Sequence, residues 1–228
     1  FVSTAAEVDY EIRLGGAHSD NVFRDEVGEV DETIGIAGLS VEASAESQRF
    51  EGDISADLEF RRYFDDSFDN ETFSSLDGAM VLKFAPDVFE WVIEDKFGVT
   101  QTDPFSPDTA ENRENVNVFS TGPDVSLRLG DRTSANVSAR YRDTTFENSD
   151  IDNSSVFGVF SIAHMLSPNR SLSLNAATDE VDFEVEELYD PYARRSIFVG
   201  FDSRMSRGSL QISLGANELE TVNEAFTE

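Results

Sequence analysis

Carboxylates at every second position are the residues of this chain best placed to do chemistry. Glu51, Asp53, Asp57 and Glu59 share one phase between Phe50 and Tyr63; Asp9 with Glu11, and Glu90 with Glu94, keep the same parity. Side chains two apart on an extended chain point the same way, about 6.6–6.8 Å apart. A row of this kind gathers cations and repels anions. Arg61, Arg140 and Arg142 stand on polar positions of their own segments and are the predicted countercharges. These eleven residues are the candidate lining of an acidic, cation-favouring pore. A merely solvated face without selectivity would carry the same pattern, and the sequence leaves both readings open.

Other chemistries find less support. His18 and His164 lie far apart, one in a polar stretch and one in an apolar run, without a partner at ligand spacing. Asp65-Asp66-Ser67-Phe68-Asp69-Asn70-Glu71 and the stretch from Glu147 to Asn153 carry enough oxygens to hold calcium. Neither has EF-hand spacing, and Asp/Asn clusters are what turns use. No Gly-Xaa-Ser-Xaa-Gly elbow, phosphate loop or zinc signature occurs. In so acidic a chain, paired carboxylates do not diagnose a glycosidase. The expectation is a protein that is not an enzyme, with no cofactor and no metal site.

The elements that must position the carboxylates are long β-strands. From Phe50, fourteen residues alternate between an apolar and a charged side, whereas strands of soluble domains usually run about 5–6. A sandwich with one wet face and a membrane barrel both accommodate such a ribbon. Ile54, Leu58, Leu82, Trp91, Ile93, Val137 and Val199 recur in phase and form the predicted apolar outer face, against lipid or an apolar partner.

Further amphipathic segments are predicted at 7–14, 33–45, 76–84, 88–99, 116–129 (interrupted at Gly122-Pro123), 133–145, 156–166, 171–183, 196–203 and 209–216. Residues 15–31, 101–113, 147–155 and 184–191 read as long polar connections, and 218–228 is too polar to assign. About eleven strands and no helix result, with short turns often alternating with the long connections. This asymmetry predicts an all-β fold: an antiparallel up-and-down transmembrane β-barrel, one domain over 1–228, complete or truncated. The Gln101–Asn115 loop, with Pro104 and Pro107, is predicted to act as a constriction or docking surface.

Composition narrows the classes further. Seventeen basic residues, only Lys83 and Lys96 being lysine, face forty-six acidic ones for a net charge of −29. Such a surface repels phosphate backbones and excludes nucleic acid as a partner. Nineteen Phe and the regular alternation argue against disorder. Cysteine is absent, so disulfides and thiolate sites are excluded. No apolar run reaches the ~18–20 residues of a membrane helix. One Trp and five Tyr are a thin supply for aromatic girdles, which Phe supplements in part.

The middle of the chain resembles a known family. The residues concerned are Phe89–Gly98 (FEWVIEDKFG), Thr102–Phe105 (TDPF), Glu111–Asp124 (ENRENVNVFSTGPD) and Arg128–Asp131 (RLGD). Shorter matches are Ala139–Tyr141 (ARY), Asn148–Asn153 (NSDIDN) and Leu166–Pro168 (LSP). Together they resemble the porin-like outer-membrane β-barrel family associated with exosortase/PEP-CTERM systems and exopolysaccharide export in Gram-negative bacteria. The likeness covers roughly residues 50–185, and its core is Trp91 to Asp131. It implies an outer-membrane location after removal of a signal peptide not present here, lipid as a partner, and a role in polymer secretion. Polysaccharide, secretion-system components and further copies of the chain are the other partners it implies. Family members are usually longer and add strands; this sequence ends without a terminal aromatic strand, as a truncated chain or a smaller relative would. The competing reading is a self-assembling β-rich extracellular or surface protein without transport, joined through unpaired strand edges.

Overall fold

The computed structural model describes residues 5–22, 28–103, 105, 112–185 and 189–221. They form eleven strands and no helix: β1 Ala5–Ser19, β2 Glu32–Glu46, β3 Phe50–Tyr63, β4 Glu71–Ala85, β5 Phe89–Gln101, β6 Arg113–Arg128, β7 Thr133–Phe146, β8 Asn153–Ser167, β9 Arg170–Phe183, β10 Tyr192–Met205 and β11 Gly208–Thr221. Each strand pairs with its sequence neighbours in an up-and-down order from β1 to β11. β1 and β11 end that order with one neighbour apiece, so the sheet is not closed.

The connections alternate strictly. Residues 47–49, 86–88, 129–132, 168–169 and 206–207 are tight; 20–31, 64–70, 102–112, 147–152 and 184–191 are long. Because consecutive strands reverse direction, short and long connections fall at opposite strand ends. Asp66 (φ 58°) and Asp87 (φ 63°) take the left-handed conformation at two of them, which Asp tolerates better than β-branched residues do.

Several strands exceed the alternation that predicts them. Gly15 to Ser19, expected in a loop, pair with Glu32 to Ile36 as the end of β1. Asn153 to Ser155 open β8, and Glu218 to Thr221 close β11. Gly and polar residues signal turns, but a ladder already in register continues through them, since every unpaired backbone group left behind carries a cost. Residues 222–228 and most of the predicted constriction loop (104, 106–111) lie outside the described residues.

Two compact units share this strand order. Unit 1 holds Phe1–Met80, Glu94–Val118 and Phe146–Ser149; unit 2 holds Val81–Ile93, Phe119–Thr145 and Asp150–Glu228. In unit 1, Ile12, Leu39 and Leu58 stand in one row across β1–β3, and Glu11, Ser40 and Asp57 in the next, on the opposite face. In unit 2, Val137 pairs with Phe160, and Leu174 with Val199, which in turn pairs with Leu214.

Among the described residues neither unit has an extended apolar core. Among the described residues the buried hydrophobics are Tyr63, Ala135, Val181 and Ala193. Many large apolar side chains are exposed instead: Leu14 is 83% exposed, Ile54 and Leu58 46%, and Val199 48%. Val137 is also exposed, while Leu82, Trp91 and Ile93 are half-buried. Fully burying one such side chain is worth about 1.5–3 kcal/mol. Leaving Val8, Tyr10, Ile12, Leu14, Leu39, Ile54, Leu58 and Phe60 substantially exposed in water forgoes on the order of 10 kcal/mol, comparable to the whole stability of a domain. The fold therefore calls for an apolar surrounding.

Candidate functional site

The polar face of β1–β3 is built by register. Counting from the tight-turn end, its rows are Glu46–Glu51, Glu7–Ser44–Asp53, Asp9–Glu42–Ser55, Glu11–Ser40–Asp57, Arg13–Gly38–Glu59 and Gly15–Ile36–Arg61. Asp9, Glu11, Glu51, Asp53, Asp57, Glu59 and Arg61 thus share one face. The register adds Glu7, Glu42 and Glu46, which the sequence pattern did not single out. Glu7, Asp9, Glu42, Asp53 and Asp77 border an open depression of about 630 Å³.

Arg13 crosses three strands. Its Nη2 donates to Asp57 Oδ2 at 2.5 Å and its Nη1 to Ser40 Oγ, while Ser40 also donates to Asp57. Glu11 Oε1 stands 3.9 Å from Nη1. Gly38, directly opposite Arg13, lies beneath the guanidinium; a Cβ there would come within 3.2 Å of Nε and Nη2.

Towards the long connections the cations are matched. Arg61 pairs with Glu59 (2.7 Å) and Arg113 with Glu71 (3.3 Å), while Lys96 pairs with Asp77 at the depression (3.2 Å). Arg61 and Arg113 both stack on the Phe73 ring, 4.5 and 5.0 Å from its centroid. The buried Tyr63 donates its hydroxyl to Glu71. These pairs hold guanidinium groups against a ring and carboxylates, a geometry worth more where water is partly excluded.

Unit 2 carries its own polar face. Arg140 donates to Asp124 at 2.7 Å and to the carbonyls of Pro123 and Ala139. Arg140 thus has its carboxylate partner on the neighbouring strand β6. Arg142, opposite Ser155, is exposed. Asn136 links Ser126 and Ser161 by amide hydrogen bonds. On β5, Glu90 of unit 2 and Glu94 of unit 1 alternate with Trp91 and Ile93 and are half-buried. Trp91 donates Nε1–H to Thr121 Oγ1 at 2.8 Å, and Thr121 donates to the Val92 carbonyl.

Both histidines bond the threonine directly opposite: His18 Nδ1 lies 3.4 Å from Thr33 Oγ1, and His164 Nδ1 2.8 Å from Thr133 Oγ1. The calcium-like stretches serve as hairpin ends. Asp65 and Ser67 donate backbone N–H groups to Glu32, and Asn148 and Ser149 donate theirs to Glu114. Arg13 and Gly38 escape a sequence reading because only the strand register brings them together; the available signal was that Arg13 continues the phase of Asp9 and Glu11.

No protein-family model matches the chain, and no curated protein matches it. Among solved structures it is similar to an outer membrane channel from Pseudomonas putida F1 (TM-score 0.43, 13% identity, 96% of this chain and 89% of that one). It is also similar to the beta domain of the Bordetella autotransporter BrkA (TM-score 0.41, 11% identity, 96% and 94%). A third likeness is to OccK5 (OpdH) of Pseudomonas aeruginosa (TM-score 0.24, 10% identity, 98% and 88%).

Proposed function

We propose that the chain forms an outer-membrane β-barrel channel whose polar face is a cation-favouring lining. The observation that carries this reading is the large apolar face left uncovered: Leu39, Ile54 and Leu58 stand exposed on one face of β2–β3, while Asp53, Asp57 and Glu59 occupy the other. Strands of 13 to 16 residues exceed the ~9–11 needed to cross a bilayer at a tilt. The strict alternation of tight and long connections fits the short periplasmic turns and longer outer loops of such barrels. A link to exopolysaccharide export rests on the sequence likeness around Trp91 to Asp131 alone.

Single-channel recording tests the reading. The native chain in a planar bilayer should prefer cations, and Asp53→Asn, Asp57→Asn and Glu59→Gln together should lower the preference. A protein that folds in the bilayer yet conducts no current would be plugged or structural. The self-assembling alternative draws on the exposed, singly paired edge strands β1 and β11. It predicts a chain that stays soluble without detergent.

A further inference from the structure

We propose that the tight-turn end of unit 2 is a basic rim that docks on the phosphate groups of anionic phospholipid. This rests on the membrane reading above. The tight turns 129–132, 168–169 and 206–207, taken with two residues on each side, hold Arg128, Arg132, Arg170, Arg204 and Arg207 against one carboxylate, Asp131. In a chain with a net charge of −29 this is a local reversal of sign. Asp202 follows one residue further in. All five arginines are nevertheless exposed, and none makes an ion pair among the described residues. The unit's other tight turn, 86–88, sets Asp87 and Glu90 beside Lys83, so the reversal is confined to the three turns. At the far end of these strands the sign is opposite. Asp143, Asp150, Asp152, Asp182 and Asp190 outnumber Arg142, Arg194 and Arg195 there, and the last two are paired with Asp179 and Glu220.

The apolar rows that lead to the rim say what it meets. Leu127, Leu129, Met165, Leu172, Met205 and Leu210 are exposed beside the arginines. Arg170 continues the phase of Leu172 and Leu174, which pair with Phe201 and Val199. An apolar face that ends in guanidinium groups suits a bilayer, because the stems lie along hydrocarbon while the heads reach the interface. An acidic protein surface would match the charge but not this apolar border. Successive rim turns are two strands apart, about 9.4–9.8 Å. That is close to the ~8–10 Å Debye length of dilute salt, so their potentials reinforce one another. A guanidinium also offers paired N–H donors to two oxygens of one phosphate. A zwitterionic headgroup carries its own ammonium and gains less from the rim.

The full chain is folded into phosphatidylcholine vesicles that carry spin-labelled phosphatidylglycerol or spin-labelled phosphatidylcholine. Electron paramagnetic resonance reads the share of each label immobilised at the protein. One surface arginine is worth about fivefold at its own site, so the average over all lipid contacts should favour phosphatidylglycerol about twofold. Salt at ~1 M, with a Debye length of about 3 Å, should abolish the preference. Arg170→Gln with Arg207→Gln should remove about half of the excess. Arg194→Gln with Arg195→Gln takes the same charge from the other end and should leave the preference as it is. No preference in the native chain, or an equal fall in both double variants, overturns the rim while leaving a membrane protein. Displacement of the labelled lipid by inorganic phosphate, but not by chloride of equal ionic strength, would assign the rim to a soluble phosphate and overturn lipid docking. A chain that stays out of the vesicles overturns the membrane reading as well.

Discussion

Glu32 and Glu114 hold equivalent places in two different hairpins. Each stands within the first two residues of a strand entered from a long connection, and each carboxylate reaches the loop beyond the next strand. Glu32, with no exposed surface, accepts N–H groups from Thr33, Asp65 and Ser67. Glu114, 4% exposed, accepts from the backbones of Asn148 and Ser149 and from the Ser149 hydroxyl. Hydrogen bonds to a charged acceptor are worth about 1.5–3 kcal/mol, and a buried donor left bare costs about 1–3. Glu32→Ala and Glu114→Ala should each destabilise by about 2–4 kcal/mol, and the Gln variants by less. Urea titration in micelles, followed by the fluorescence of the single Trp91, measures both.

Gly122 is held by a backbone approach. A Cβ there would lie 1.9 Å from the Ala139 carbonyl oxygen and 3.0 Å from the Arg140 Cα, so β6 and β7 would have to separate. Gly122→Ala should cost more than about 3 kcal/mol, above the usual range for overpacking because rigid backbone is in the way. Gly15→Ala, with nothing within 4 Å of the new methyl, should change stability by no more than about 0.5 kcal/mol. Equal effects at the two positions would contradict the packing of β6 on β7.

The alternation made β3 legible to its ends, since Phe50–Tyr63 is both the predicted and the observed strand. Strand number and loop asymmetry were legible for the same reason: a period of two survives without knowing the partners. What the period cannot carry is register. Arg13 meets Asp57, and Arg140 meets Asp124, through pairings that no local pattern encodes. Gly15 and Gly16 suggested a loop, yet their ladder with Gly35 and Ile36 holds them in β1. The acidic rows also grew once Glu7, Glu42 and Glu46 took their places beside the residues the pattern had picked out.

Asp95 breaks the rule of the outward face. It shares the phase of Trp91, Ile93 and Phe97, and its Oδ1 is sealed from solvent with no hydrogen-bond partner among the described residues. A carboxylate oxygen sealed from solvent without a donor costs about 1–3 kcal/mol. Asp95→Leu should therefore stabilise the folded protein by about 1–2 kcal/mol, read as a higher urea midpoint in micelles. A lower midpoint would mean that the Asp95 carboxylate makes a favourable contact in the folded protein.

The Phe73 stack allows two contributions to be ranked. Replacing Phe73 with Leu removes the ring under Arg61 and Arg113 but keeps an apolar side chain. The loss is two cation–π contacts at about 0.5–1 kcal/mol each. Replacing Glu71 with Ala removes the acceptor of both Tyr63 and Arg113. The Arg113 side chain is 17% exposed, so it keeps its charge in a poorly hydrated place. Breaking one partner of a buried pair costs about 3–5 kcal/mol, and partial exposure brings this to roughly 2–3. Glu71→Ala should accordingly destabilise more than Phe73→Leu, by about 1 kcal/mol. Urea midpoints of the two variants and of the double variant give the ranking and the coupling between ring and carboxylate. If Phe73→Leu proves the more damaging, the cluster is held by the ring and not by the ion pair.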